Sequence, residues 1–254
     1  MTDNYRQSEG LSGSVLGVLN QCPAKYKYSR QHPKEATPAM LFGTLCHTAV
    51  LEPKQLTSSY TFMQDGVNYK RNTKDGKANY AALEGTGKPI ITFDAHQEAT
   101  EMSRAVYDNP DAVNILRAAG ETEKAYFWEE DGVKCKGRLD RYLTELNIVV
   151  DYKTTKDASP SKFYWTVVDF GYLLQLAHYQ AAVKAATGAD AYPGVLILAQ
   201  ESTAPYVSQV YEVPQVLIDE AHERRREILV TYRTCMETGV WPGYGKGIMT
   251  LERK

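Results

Sequence analysis

The sequence predicts an α/β protein in which a mixed central β-sheet is flanked by helices. Three observations carry that prediction. Residues 123–155 hold three runs rich in β-branched and aromatic residues, joined by short turn-forming links. Helical patterns precede and follow this block. Two more strand-like runs, "GVLILAQ" and "SQVYEVP", come after a helix and before a last helix. The order is helices, three antiparallel strands, a helix, two strands and a helix, which builds a layered α/β domain.

In chain order, "LSGSVLGVLNQCPAKYKYSR" reads as a helix from about Ser12 that ends near Pro23. "ATPAMLFGTLCHTAVLEP" is a second helix, with Thr37 as N-cap, Pro38 in the first turn and Pro53 closing the far end. Residues 64–78, "QDGVNYKRNTKDGKA", are polar and basic and predict a mobile loop. One or two helices fall across 92–119. The runs 123–130 and 133–143 flank Asp131-Gly132, a strong hairpin signal, and "TELN" joins 133–143 to 148–155. A helix is expected near 172–187 and another over about 215–238, where Arg224, Arg225 and Arg226 suggest a charged face. No internal repeat interrupts this order. The expected organisation is one domain over 1–254: a helical segment at about 10–120, a sheet core at about 121–215 and a terminal helix at about 215–240.

A formal net charge of −2 excludes a broadly basic protein, so any nucleic-acid contact must come from a local groove. No apolar run approaches the roughly 20 residues of a membrane span, and "MTDNYRQSEG" lacks a signal-peptide pattern. A cytoplasmic protein without membrane contact is expected. Cys22, Cys46, Cys135 and Cys235 are far apart and form no CxxC pair, so they read as buried thiols rather than a metal cluster.

The chemistry concentrates in "KGRLDRYLTELNIVVDYKTT", residues 136–155. Counting back from a Glu130–Val133 pair puts Glu123 opposite Asp140. Counting from a Leu143–Ile148 pair puts Asp140 opposite Asp151. Opposed residues share a face, as does Lys153 two positions on. Opposed like charges repel, and a divalent cation between them would turn repulsion into attraction. Mg²⁺ suits one or two carboxylates plus waters and phosphate oxygens. Lys153 would then position a water or stabilise negative charge. The alternative is an ion-pair ladder, with Asp151 facing Lys153 or Arg138 on a solvated face.

Asp140 followed by "VVDYKT" resembles the core of PD-(D/E)XK (restriction-endonuclease-like) nucleases. "QLAHYQAA", with Gln175 and Tyr179, is similar to the Gln-xxx-Tyr helix of their RecB-like branch. "FGTLCHTAVLEP", with His47, and "LSGSVLGVLNQCPAKYKY" resemble segments of RecE-type (exonuclease VIII-like) enzymes. The resemblance spans roughly residues 10–245. It implies a metal-dependent exonuclease that degrades linear double-stranded DNA from its ends, 5′→3′, and leaves single strands for recombination. It implies His47, Asp140 and Asp151 as metal ligands, with the main-chain carbonyl of Tyr152 completing the set. Lys153 is then the catalytic lysine, and Gln175 and Tyr179 position the DNA end and the active-site groups. Glu123 is a possible additional site residue. The cofactor would be Mg²⁺ or Mn²⁺, and a histidine ligand favours Mn²⁺. The implied partners are DNA ends, a single-strand annealing recombination protein and further copies of the chain in a ring, such as a tetramer. A phage origin is implied too.

Lys70, Arg71 and Lys74, with Lys77, are candidate phosphate contacts. His96, His178 and His222 lack a supporting pattern, and Trp241-Pro242 reads as packing. The rival functions are a PD-(D/E)XK endonuclease of other specificity, a non-catalytic DNA-binding subunit of the same fold, and a metal enzyme acting on a small phosphorylated substrate.

Overall fold

Turn chemistry fixes the centre of the molecule. The structure, a computed structural model, describes residues 4–33, 36–245 and 248. Its helices and strands run in the order α1 (Asn4–Gln7), α2 (Gly13–Gln21), α3 (Pro23–Gln31), α4 (Pro38–Leu51), α5 (Leu56–Ser59), β1 (Thr61–Phe62), α6 (Lys74–Glu84), β2 (Ile90–Ile91), α7 (Phe93–Tyr107) and α8 (Pro110–Arg117). They continue as β3 (Glu121–Glu130), β4 (Val133–Leu143), β5 (Ile148–Thr155), α9 (Pro160–Asp169), α10 (Tyr172–Thr187), β6 (Gly194–Glu201), β7 (Ser208–Glu212) and α11 (Gln215–Thr238). Asp131 and Gly132 both take positive φ, 51° and 76°, the geometry of a two-residue turn whose twist matches its strands. Glu130 accordingly pairs with Val133. The second hairpin closes on Leu143–Ile148.

The five strands order as β3-β4-β5-β6-β7. All neighbours are antiparallel except β5 and β6, which run parallel because α9 and α10 carry the chain back across one face. On that face α10 packs Leu176, Ala177 and Tyr179 against Val149, Val195 and Ile197. On the other, α4 and α7 pack Leu45, Cys46 and Met102 around Tyr152 and Leu198. The α/β class, the mixed sheet and the flanking helices are as the sequence predicts.

Four local expectations are corrected. The first predicted helix, α2, ends before Pro23 as expected, but a further helix, α3, follows at once: Pro23 opens it, because proline lacks only an N–H that the first turn leaves unused. Residues 74–78 are not loop. Thr73 caps α6 by accepting from the Gly76 N–H, so the loop ends at 73. Helix α9 is absent from the predicted order. Nor is Arg225 part of a charged face. Its side chain is 2% exposed and donates to both Glu130 carboxylate oxygens across the sheet, while Arg224 and Arg226 remain outside.

A Cβ on Gly76 would lie 2.1 Å from the Lys70 carbonyl oxygen, so α6 meets its loop where only glycine fits. Gly76→Ala is therefore expected to release the 64–73 loop. Limited proteolysis should nick that loop faster, with the main thermal transition unmoved.

The four cysteines are buried and unpaired. His178 holds the Leu11 and Lys136 carbonyls, His222 holds Gln180 and stacks on Tyr192, His96 stacks on Phe62, and Trp241 packs on Tyr26 and Tyr232. These are structural roles. Among the described residues no helix is long and apolar enough to cross a membrane.

Candidate metal centre

The site forms where the regular sheet breaks. The β3–β4 ladder runs from Glu130–Val133 to Glu121–Tyr142 but omits the Glu123–Asp140 pair. At that point Glu123 takes φ 51°, unusual for a residue with a side chain. Leu139 and Tyr142, three residues apart, enter the same core cluster, so the alternation of β4 is reset at Asp140. The β4–β5 ladder stops at Arg141–Val150. Beyond it the Tyr152 N–H donates to Asp140 Oδ2 at 2.8 Å, so a side chain replaces a main-chain partner. The counted register is therefore correct. However, the carboxylates are gathered by a local departure from the ladder, not displayed in a row on one face. Such irregularity is common where a strand must aim a side chain.

Helix α4 brings His47 over this break. Its Nδ1 lies 3.6 Å from Asp140 Oδ2, and its ring packs edge-on to Tyr152 at 4.8 Å. One ligand atom each from His47, Glu123 and Asp140 lie within 4.8 Å of one another. From β5, Asp151 is fully buried, with Oδ2 2.7 Å from Lys153 Nζ. Neither Asp151 oxygen has a well-aligned hydrogen-bond donor among the described residues. The Lys153 ammonium also sits over the Tyr172 ring at 4.9 Å.

Electrostatics at this site favour a cation. Burial pushes the Asp151 carboxyl up to about 6, Lys153 opposes this, and the Asp140 charge adds to the rise. Burial likewise raises Asp140. His47 is depressed to about 4, by burial first and by Lys153 second, so it is neutral at pH 7 with a lone pair to offer. Burial works against the Lys153 charge, but Asp151 and Asp140 outweigh it and hold the amine protonated. Two buried carboxylates, a third nearby and a neutral imidazole form the donor set of a hard to borderline divalent ion. Mg²⁺ or Mn²⁺ fits the oxygen donors, and His47 adds a nitrogen that suits Mn²⁺ better. A carboxylate as buried as that of Asp151 is costly without a cationic partner; Lys153 supplies one, and a divalent ion would supply another.

The remaining predicted site residues divide. Tyr179, on α10, is buried beside Gly137 and accepts from Gln175 Nε2 at 2.6 Å; Gln175 itself lies against Gly13 of α2. Burial raises the Tyr179 hydroxyl well above the ordinary tyrosine value, and the Asp151 and Asp140 charges add to the rise. The Tyr152 ring packs against His47 and its hydroxyl donates to Gln200 Oε1, so the only oxygen Tyr152 has left to offer a cation is its main-chain carbonyl. That main chain acts on His47. Lys70, Arg71 and Lys74 belong to the loop and α6. Arg71 is engaged locally, with Glu84 at 3.1 Å and over the Tyr80 ring at 4.0 Å.

Of the two pairs that the ion-pair ladder offers Asp151, the one with Lys153 forms, while Arg138 pairs instead with Glu123 at 3.0 Å; the Arg138 charge acts on His47, Asp140 and Glu52. Sequence reasoning misses two residues near the site. Glu52 closes α4 and Tyr172 opens α10, and only the fold brings them near.

A cation held here should stabilise the fold. At a hundredfold excess over its dissociation constant the gain is about 2.7 kcal/mol, or roughly 5–10 °C in melting temperature for a chain of this size. Thermal melts with Mg²⁺, Mn²⁺ or EDTA should show that rise. Asp140→Asn should lose most of it, and His47→Ala should lose more of the Mn²⁺ response than of the Mg²⁺ response.

Residues 12–253 match a family described as a PDDEXK-like domain of unknown function, DUF3799. A crystal structure of a candidate exonuclease from Eubacterium rectale aligns with 16% identity and a TM-score of 0.66, covering 99% of this chain and 94% of that one. A phage-related exonuclease from Haemophilus somnus 129PT aligns with 14% identity and a TM-score of 0.39, covering 91% and 97%. No curated protein sequence matches.

Proposed function

Since the chain belongs to the PDDEXK-like family DUF3799, we propose that it is a divalent-metal-dependent nuclease that digests linear double-stranded DNA from its ends. One observation carries this reading: the Asp151–Lys153 pair at 2.7 Å stands beside the His47–Glu123–Asp140 cluster, at a break in the sheet. A bound Mg²⁺ or Mn²⁺ supplies Lewis-acid polarisation of the phosphate and an acidified water. His47, Glu123, Asp140 and Asp151 are the groups that would hold it, with the Tyr152 carbonyl. Lys153 is anchored by Asp151 and carries its positive charge where negative charge grows on the phosphate. Tyr179 and Gln175, joined by their hydrogen bond, fix the α10 side of the site. Arg138, next to Glu123, offers a guanidinium suited to a phosphate.

The finer assignment is a RecE-type enzyme. The presence of His47 in the cluster with Glu123 and Asp140 supports this reading. On this reading the polarity is 5′→3′, and the single strands produced pass to a single-strand annealing protein. The chain works as one nuclease unit, in the cytoplasm, in a ring-shaped homo-oligomer. Lys70, Arg71 and Lys74 then contact DNA away from the cation.

The test is digestion of an end-labelled linear duplex beside the same plasmid as a closed circle, with Mg²⁺, Mn²⁺ or EDTA. Loss of the linear DNA alone, abolished by EDTA, is the expected result. Cutting of the circle would turn the assignment to an endonuclease. Absence of cleavage with either metal would overturn the enzyme reading.

A further inference from the structure

Helix α9 buries Phe163 and Val167, one turn apart, in the core beneath it. The same spacing turns Tyr164, Trp165 and Val168 outward, 47%, 60% and 41% exposed, and Phe170 follows at 72%. Three large rings and a valine on a ten-residue helix and its exit turn form an apolar stripe, and such stripes mark contact surfaces. The rings are already arranged. Tyr164 and Trp165 meet edge-to-face at 5.3 Å. Phe170 lies nearly parallel to Tyr172, 5.8 Å away and inclined by 22°. Tyr172 in turn lies under the Lys153 amine. From the candidate catalytic lysine, Tyr172 and then Phe170 lead out to solvent, and the Tyr164–Trp165 pair stands on the helix that ends at Phe170.

Building on the nuclease reading above, we propose that Trp165 and Phe170, with Tyr164, form a stacking surface for unpaired bases at the DNA end that enters this site. A ring face recognises a base face, and only an unpaired nucleotide can present one, since the bases of a blunt duplex are stacked on each other. The Phe170–Tyr172–Lys153 contacts put the near edge of this surface beside the lysine, where a frayed strand would lie when its phosphate reaches the cation. Exposed Lys162, on the same helix, and Lys156, just before it, offer positive charge to the strand's phosphates. Stacking of this kind tolerates any sequence, as an enzyme that digests arbitrary ends requires.

The test is binding of a labelled duplex carrying a single-stranded extension, against the same duplex with blunt ends, measured in EDTA so that no cleavage occurs. Wild type is expected to bind the extended end more tightly. Trp165→Ala and Phe170→Ala should each lower that affinity roughly tenfold, leave blunt-end affinity unchanged and melt like wild type. Trp165→Phe should keep most of the binding, and the fluorescence that Trp165 contributes should be quenched by the extension. Unchanged affinity in both alanine variants would overturn the stacking surface. So would an altered sedimentation mass with unchanged DNA affinity, which would make the stripe a contact between copies of the chain. Cleavage with Mg²⁺ and Mn²⁺ is scored separately. A wild type that binds extensions but never cuts would defeat the nuclease reading and leave the stacking surface standing.

Discussion

Alanine in place of Lys153 is expected to cut cleavage of linear duplex DNA by a factor on the order of 10³. The lysine is 14% exposed, anchored to Asp151 at 2.7 Å and set over Tyr172, so its ammonium is held in one place. Loss of activity alone would not separate a catalytic role from a structural one, but the cation response does. Without the ammonium, the fully buried Asp151 loses its compensating charge, and the metal-free protein should melt lower. A divalent cation restores that charge, and it no longer competes with Lys153 for the carboxylates. The metal-induced rise in melting temperature should therefore be larger in Lys153→Ala than in wild type, although the variant is inactive. An equal or smaller rise would mean that Lys153 does not share its carboxylates with the cation.

The largest effect on stability is expected from Glu130→Gln. Arg225 is almost completely buried and its guanidinium donates to both Glu130 oxygens, tying the middle of α11 to the end of β3. Trp128 Nε1 donates to the same carboxylate at 3.2 Å. Glutamine would leave a buried cation without its counter-charge, at a cost of about 3–5 kcal/mol. That is a fall in melting temperature on the order of 10 °C. Replacing both partners with apolar residues, as in Glu130→Leu/Arg225→Met, should recover much of the loss, because no charge is then stranded. The pH dependence has a definite sign. Burial alone would raise the Glu130 pKa, but Arg225 and Trp128 outweigh it and the value is lowered below 4.5. The pair's stabilisation is complete above the ordinary glutamate value and fades as pH falls through the lowered one. The gap in melting temperature between wild type and Glu130→Gln should therefore narrow in acid and stay constant above about pH 5.

The two hairpins are legible in the amino-acid order alone, because Asp-Gly and a four-residue link admit few turn geometries and each fixes a register. That register names Glu123, Asp140, Asp151 and Lys153 as neighbours. His47 is legible only through its motif, since nothing in local periodicity links a residue of α4 to strands ninety positions on. Several features cannot be read in this way. Arg225 has the same composition context as Arg224 and Arg226, and only the packing of α11 on β3 decides which of the three is buried. Helix α9 begins with Ser-Pro and carries β-branched and aromatic residues that weaken helix propensity, so the core contact of Phe163 and Val167 makes it a helix. The sequence by itself determined the strand register and the identity of the acidic and basic groups, because both follow from chemistry local to two turns. Only the tertiary structure decided that the ladder breaks at Glu123 and Asp140. Glu123 turns to positive φ and Asp140 takes the Tyr152 N–H at that break, between the faces on which α4 and α10 pack, and none of this is local to the two turns.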